Sequence, residues 1–297
     1  AFVKNKTPIY SIGNPGDLTY DYTLLGEDVN DLKNIFDEKS EINKKLKNAK
    51  KPIFIIGESV LELNNSKYIL EKTKNFLIEK NFINENWNAF NILVQNASSV
   101  GAIDLGFYNI DKNNNFIFFD KLENKEIELL YLVGSDNLEI KKGNEFIVYQ
   151  GSHGDKNASI ADVILPGAAY TEQSGLFENL EGRIQECRKA SYPTNESLED
   201  WKIFNLINYS LNNENLFSDF SSVRKSALLE IPNFSEIDLL PKRNKLIKIN
   251  TSIEATSEKI NIKDIDYYFS NSISRASKTM SDCRNIFNDN KKNGTNS

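Results

Sequence analysis

Apolar and polar positions along this chain follow two alternating patterns. Short apolar runs closed by glycine recur at Ile9–Gly13, Pro52–Gly57, Glu128–Gly134, Phe146–Gly151 and Asp162–Gly167. Runs that are apolar on both faces predict strands buried on both sides, as in parallel sheets. Between them, apolar residues fall at three- and four-residue spacings. From Lys67 to Ile83 the positions Tyr68, Leu70, Phe76, Leu77 and Ile83 predict one helix. From Leu198 to Leu211 a second helix places Trp201, Phe204, Ile207 and Leu211 on one stripe, with Ser197-Leu198-Glu199-Asp200 supplying a cap and an acidic first turn. Strands alternating with helices imply βαβ units, hence an α/β fold with a doubly wound, mostly parallel sheet. The expected organisation is an α/β region over residues 1–211, a helical or irregular connection over 212–240, and a tail over 241–297.

The tail differs in charge. From Pro241 onward there are eleven basic and six acidic residues, a net charge of +5 against −11 for residues 1–240. Periodicity there is weak, so the expectation is an extended basic tail packed on the body or on a partner, with Asn288 to Ser297 disordered. Over all 297 residues, 36 Lys and Arg face 42 Asp and Glu, a net charge of −6. That balance argues against a nucleic-acid binder, which needs a positive surface to displace counterions. Two cysteines, Cys187 and Cys283, are too few for an iron–sulfur cluster with four thiolates or for a Cys-rich zinc site, and a reducing compartment is the default. No apolar run approaches the roughly 20 residues of a membrane span. Asn, Lys, Ile and Phe are abundant, which points to an AT-rich, organellar-type genome. The start at Ala1-Phe2-Val3, with neither Met nor presequence, reads as a processed end or a break in a longer gene.

Candidate chemistry is sparse. Neither a G-x-G-x-x-G nor a P-loop pattern occurs, and Gly13-Asn14-Pro15-Gly16 reads as a tight turn. The single histidine, His153, lies between Ser152 and Asp155 in a loop and reads as solvated. The carboxylate pairs Glu199/Asp200 and Asp264/Asp266 read as parts of solvated faces. One region stands out, Gly151 to Gln185. A strand ends at Gly151, a loop and one helical turn over Asn157 to Ala161 follow, and a second strand closes at Pro166-Gly167. A long polar loop then ends in Asn179-Leu180-Glu181-Gly182-Arg183. Loops beyond the carboxyl ends of parallel strands are where open α/β sheets hold ligands. There Gly167, Gly175 and Gly182 permit close backbone approach, and Arg183 is a candidate phosphate partner. The alternative, equally weighted on these residues, is that the glycines only shape a wrapping loop.

The stretch Ala161-Asp162-Val163-Ile164-Leu165-Pro166-Gly167-Ala168-Ala169-Tyr170-Thr171-Glu172, with Gly175, Asn179 and Glu181-Gly182-Arg183, resembles the signature of molybdopterin oxidoreductases. Tyr149-Gln150-Gly151-Ser152-His153-Gly154-Asp155 ahead of it narrows the resemblance to the large iron–sulfur subunits of respiratory complex I. So do Asp17-Leu18-Thr19-Tyr20, Ala102 to Gly106, Asp200-Trp201-Lys202-Ile203, Asp266-Tyr267-Tyr268-Phe269 and Ser272 to Met280.

The resemblance implies the C-terminal half of such a subunit, with a molybdopterin oxidoreductase-like fold. It implies no catalytic residue, metal or cofactor on this chain, iron–sulfur clusters being carried by a separate N-terminal chain or domain. Gly167, Asn179 and Arg183 are then vestigial pterin-loop candidates. Glu172, Glu178 and Glu181 around Arg183 would oppose a phosphate. Implied partners are other subunits of the complex I peripheral arm, especially a cluster-bearing N-terminal half, on the matrix side of the mitochondrial inner membrane, with no nucleic acid and no direct membrane span. Either the gene is split or the chain is a fragment. The alternatives are the C-terminal half of an active molybdopterin-dependent oxidoreductase, such as a formate dehydrogenase-like enzyme, and an unrelated small-molecule-binding α/β domain.

Overall fold

The computed structural model describes residues 2–97, 99–107, 117–135, 138–241, 248, 253–262 and 266–292. They divide into two units, Ala1–Ser99 with Lys242–Asp264 and Val100–Pro241 with Ile265–Ser297. The division falls inside the stretch 1–211 and also cuts the tail in two.

In the first unit, β1 (Tyr10–Ile12) pairs in parallel with β2 (Thr23–Gly26), followed by α1 (Leu32–Phe36) and α2 (Glu41–Lys47). Strand β3 (Phe54–Gly57) leads into α3 (Ser66–Glu79). The hairpin β4 (Ile83–Asn84) and β5 (Trp87–Asn88) follows, then β6 (Phe90–Leu93) returns parallel to β3 with Phe54 opposite Phe90. This is the expected βαβ unit, and α3 is its crossover. Tyr68 and Ile69 of α3 bury against Val29, Ile56 and Ile260; Phe76 and Leu77 bury against Ile35, Ile42 and Ala89.

The expected helix extends to Ile83, but α3 stops four residues earlier. Asn81 takes a left-handed φ of 56°, the Asn81 N–H bonds the Ile78 carbonyl at 3.1 Å, and the Phe82 N–H bonds Leu77 at 2.8 Å. That pair of bonds is a Schellman stop, and Ile83 is left to the hairpin.

Part of the tail belongs to this core. Val29 N–H donates to the Glu258 carbonyl at 3.0 Å and Ile260 N–H to Glu27 at 2.8 Å. Ile260 is buried. The Glu258 carboxylate accepts from the backbone N–H groups of Asn64 and Asn65 and from Asn65 Nδ2. Those donors, Asn65 Nδ2 first, hold the half-buried carboxyl below its ordinary pKa.

The second unit holds α4 (Ser99–Asp104) and α5 (Phe118–Glu123), then β7 (Leu129–Val133), β8 (Phe146–Gly151) and β9 (Val163–Pro166). These three strands form a parallel sheet in the order β7-β8-β9. Strand alternation sends Leu130, Leu132, Ile147 and Tyr149 to one face, where Phe118 and Leu122 of α5 pack. It sends Tyr131 to the other, where Phe204 stacks on it with ring centroids 5.7 Å apart.

The stretch expected as a long polar loop is an antiparallel hairpin of β10 (Gly175–Glu178) and β11 (Ile184–Cys187). Helices α6 (Asp200–Asn212) and α7 (Phe220–Glu230) follow. Ser197 does not cap α6. Leu198 is used instead to extend the sheet, its N–H bonding Pro166 at 3.1 Å and its carbonyl accepting from Ala168 at 2.8 Å. The architecture is therefore mixed α/β with parallel sheets.

The end of the chain corrects the expectation of an extended tail. Asp266 caps a single turn over Tyr267–Phe269, Asn271 and Ser274 form a capping box for α8 (Ser272–Ala276), and α9 covers Lys278–Lys292. The expected disorder from Asn288 onward meets helix through Lys292; residues 293–297 lie outside the described set. Tyr268 packs on Phe287 with ring centroids 5.8 Å apart, and Arg284 pairs with Asp266. Asp264, the other half of that carboxylate pair, also lies outside the described residues.

Candidate functional site

The region singled out from sequence lies at the carboxyl ends of β8 and β9, where Gly167 N–H bonds the Gly151 carbonyl at 2.9 Å. Strand β8 is central, and Gln150, next to its end, is fully buried. A buried amide needs its hydrogen bonds, and Gln150 has them. Tyr131 Oη donates to Gln150 Oε1 at 2.6 Å, and Gln150 Nε2 donates to Asp200 Oδ1 at 2.7 Å. Gln173 Nε2 donates to Asp200 Oδ2 at 3.0 Å, and the Asp200 N–H returns to Gln173 Oε1 at 3.3 Å. Burial, then the nearby Asp200 charge, raise the Tyr131 hydroxyl above its ordinary pKa, so it stays a donor.

Gly167 fits here because a Cβ would stand 3.1 Å from Asp200 Oδ1 and 3.5 Å from Gly151 backbone. Asp200 Oδ1 thus stands close beside the end of β9.

The preceding residue corrects the expectation of a solvated acidic pair. Glu199 is 5% exposed, and its carboxylate accepts from Lys189 at 3.1 Å, Lys202 at 3.2 Å and Trp201 Nε1 at 3.2 Å. Burial raises its pKa, but the three donors outweigh burial and hold it below the ordinary value.

Asn179 and Arg183 sit together in the β10–β11 turn. Asn179 Oδ1 accepts from the N–H groups of Glu181 at 2.9 Å and Arg183 at 3.1 Å, and Gly182 supplies a φ of 76°. Arg183 Nη1 donates to the Asp238 carbonyl, and Nε faces Glu181 at 3.5 Å. Of the three acids expected around Arg183, only Glu181 pairs with it among the described residues; Glu172 instead accepts from the Ala169 N–H at 3.0 Å. Glu178 is buried, and burial, with Asp104 beside it, pushes its carboxyl up to about 7.

Gly167 thus contacts Asp200, whereas Asn179 and Arg183 serve their own turn. The two sets do not converge on one anion cradle. Arg183 is engaged by the Asp238 carbonyl and Glu181, and Asp200 Oδ1 stands where a Cβ at Gly167 would meet it.

His153 is exposed, with Nδ1 at 2.9 Å from Ser152 Oγ. The loop around it is tied down on both sides. Buried Asn157 donates to the Ser135 carbonyl, and Asp155 pairs with Arg275 of α8, the two side chains being only 17% and 15% exposed. Among the described residues no group of three or more His, Cys, Asp or Glu could hold a metal ion, and no helix is long and apolar enough to cross a membrane.

Gln150, Asp155, Asp200 and Arg275 fall in separate sequence motifs, and spacing along the chain does not reveal that they pair. One signal was present for Gln150, a lone amide inside an otherwise apolar strand run.

A family model described as molybdopterin oxidoreductase matches residues 1–208, and the chain belongs to this family. A second model, for the C-terminal part of one NADH-ubiquinone oxidoreductase subunit, matches residues 241–283. The chain is similar to the NADH-ubiquinone oxidoreductase 75 kDa subunit of Reclinomonas americana, at 35% identity over 96% of this chain and 41% of that protein. It is 35% identical to the mitochondrial NADH-ubiquinone oxidoreductase 78 kDa subunit of Candida albicans, over 96% of this chain and 40% of that one. It is 38% identical to an NADH-quinone oxidoreductase subunit of Rickettsia bellii, over 92% of this chain and 38% of that one. The chain therefore spans about two-fifths of the length of these curated relatives.

Proposed function

We propose that this chain is a non-catalytic structural part of the large iron–sulfur subunit of respiratory complex I, supporting electron transfer from NADH to ubiquinone in the peripheral arm. The observation that carries the reading is the presence on one chain of both matches, the pterin-enzyme body over 1–208 and the subunit-specific segment over 241–283. The chain contributes surface rather than chemistry. Electrons travel through iron–sulfur clusters on a separate N-terminal chain or domain, and this chain holds no cofactor.

Three features support that division of labour. Gly167, Asn179 and Arg183 are engaged within the chain and stand as vestiges of a pterin loop. The loop bearing His153 is locked by Asn157 and Arg275. Two cysteines are too few for a cluster of four thiolates. The parallel sheet found in each unit supports a doubly wound, mostly parallel fold. The partners are peripheral-arm subunits, foremost a cluster-bearing N-terminal half encoded separately. The place is the matrix side of the mitochondrial inner membrane, in keeping with an organellar-type composition.

The test is to purify the native assembly through a tag on this chain. Complex I subunits and NADH-to-quinone activity are expected to co-purify, without stoichiometric molybdenum or tungsten by elemental analysis. Stoichiometric metal would replace this reading with the C-terminal half of an active molybdopterin-dependent oxidoreductase. Mass spectrometry that finds the cluster domains on one continuous polypeptide with this chain would remove the split-gene part alone.

A further inference from the structure

Helix α6 carries more apolar surface than its own unit covers. Of its Trp, Phe, Ile, Leu and Tyr side chains only Ile203 is buried, while Leu206 is 56% and Leu211 77% exposed. Seven of its thirteen residues are Trp, Phe, Ile, Leu or Tyr, and they extend beyond the side that its own unit buries. Beside it runs a groove of about 350 Å³, lined by Leu165 and Pro166 of β9, Leu198, and Ile203, Leu206 and Leu211 of α6. The groove reaches β9, the last strand of its sheet among the described residues, through Leu165 and Pro166. Among the described residues, the Gly167–Leu198 bridge is what adjoins that edge. That edge is apolar along Val163–Leu165 and closes at Pro166, which leaves a short stretch open to another segment.

Resting on the proposed function, we infer that this α6–β9 groove is the seat of an apolar segment from the polypeptide that corresponds to the part of the subunit preceding this region. The length outside the match argues for that occupant. The chain accounts for 41% of one relative and 38% of another, and the model for the subunit's C-terminal part matches residues 241–283, so the relatives carry most of their length ahead of the matched part. A lining with Glu196 and Ser210 as its polar residues suits an apolar helix or strand rather than a charged partner. A second copy of this chain has no such argument behind it.

The experiment places the photo-cross-linking residue p-benzoylphenylalanine at Leu211, and separately at the equally exposed Leu229 of α7, in the full chain within the native assembly. After irradiation, mass spectrometry identifies the adducts. Adducts to the polypeptide matching the preceding part of the subunit from position 211, and few from 229, are expected. In parallel, Leu206→Asp and Leu211→Asp should each retain at least tenfold less of that polypeptide on the tagged chain, with an unchanged melting temperature of the chain itself. Adducts from 211 to a second copy or to any other subunit, absence of adducts, or undiminished retention by both variants would overturn the inference. If complex I subunits co-purify and the adducts point elsewhere, only the docking assignment falls. If none co-purify, the functional reading falls and takes this inference with it.

Discussion

Gln150 Nε2 donates to Asp200 Oδ1 over 2.7 Å, joining the end of the central strand to the first turn of α6. The bond ties together two positions fifty residues apart and occupies the end of the sheet where open α/β folds hold ligands. Its loss is measurable. Gln150→Leu leaves Tyr131 Oη and Asp200 Oδ1 without their buried partner, and should cost about 2 kcal/mol in denaturant unfolding of the chain. Gln150→Glu sets a second carboxyl against Asp200 and should be worse at neutral pH, recovering in acid as one of the two is protonated. Equal stability of wild type and Gln150→Leu would show that the network contributes nothing.

Glu178 predicts a pH dependence of opposite sign to most acids. Burial first, then the charge and hydrogen bond of Asp104, push its carboxyl from an ordinary 4.5 to about 7. Between those values the folded chain holds a proton that the unfolded chain has released. Stability from this group is therefore full below pH 4.5 and declines as pH rises through 7. Glu178→Gln should flatten that decline and gain on the order of 2 kcal/mol above neutrality. Melting temperatures of both proteins across this range are the check, and parallel curves would refute the assignment.

Gly182 tests the turn that holds Asn179 and Arg183. Its φ is 76°, and a Cβ there would stand 2.8 Å from Pro241 Cγ. Gly182→Ala should destabilise by about 1–2 kcal/mol through left-handed strain and that contact. Gly175→Ala, with open space at its Cβ, should cost far less. Thermal unfolding of the pair separates a turn requirement from a general dislike of alanine in the hairpin.

The parallel strands were legible because their runs are apolar on both faces, and β3, β7, β8 and β9 fall inside the expected stretches to within two residues at either end. The crossover helix α3 was legible from its three- and four-residue spacing, but its end was not, since an Asn in left-handed backbone at position 81 carries no hydrophobic signal. The β10–β11 hairpin was hidden by its polar composition, and α8 and α9 by weak periodicity; α8 begins at the capping box of Asn271 and Ser274. The site suffered most. Its residues all stand in recognisable motifs, yet what defines it is pairing between distant positions, Gln150 with Asp200 and Asp155 with Arg275, and linear spacing does not carry that.

Asp155 and Arg275 are 120 positions apart and make a half-buried ion pair, with the Arg275 guanidinium also donating to the Phe269 carbonyl at 3.1 Å. The pair fastens α8 to the loop after β8, so the two side chains should act as one unit. Asp155→Asn and Arg275→Met alone should each destabilise by about 2 kcal/mol, because each leaves a partly desolvated charge behind. The double variant should lose markedly less than the two losses added, giving a coupling energy of about 1 kcal/mol or more in a double-mutant cycle. Deleting residues 266–287 removes the strap altogether, and should weaken assembly of the native complex while the parallel sheet β7-β8-β9 stays folded. Strict additivity of the two single substitutions, or normal assembly of the truncated chain, would mean that this strap holds nothing in place.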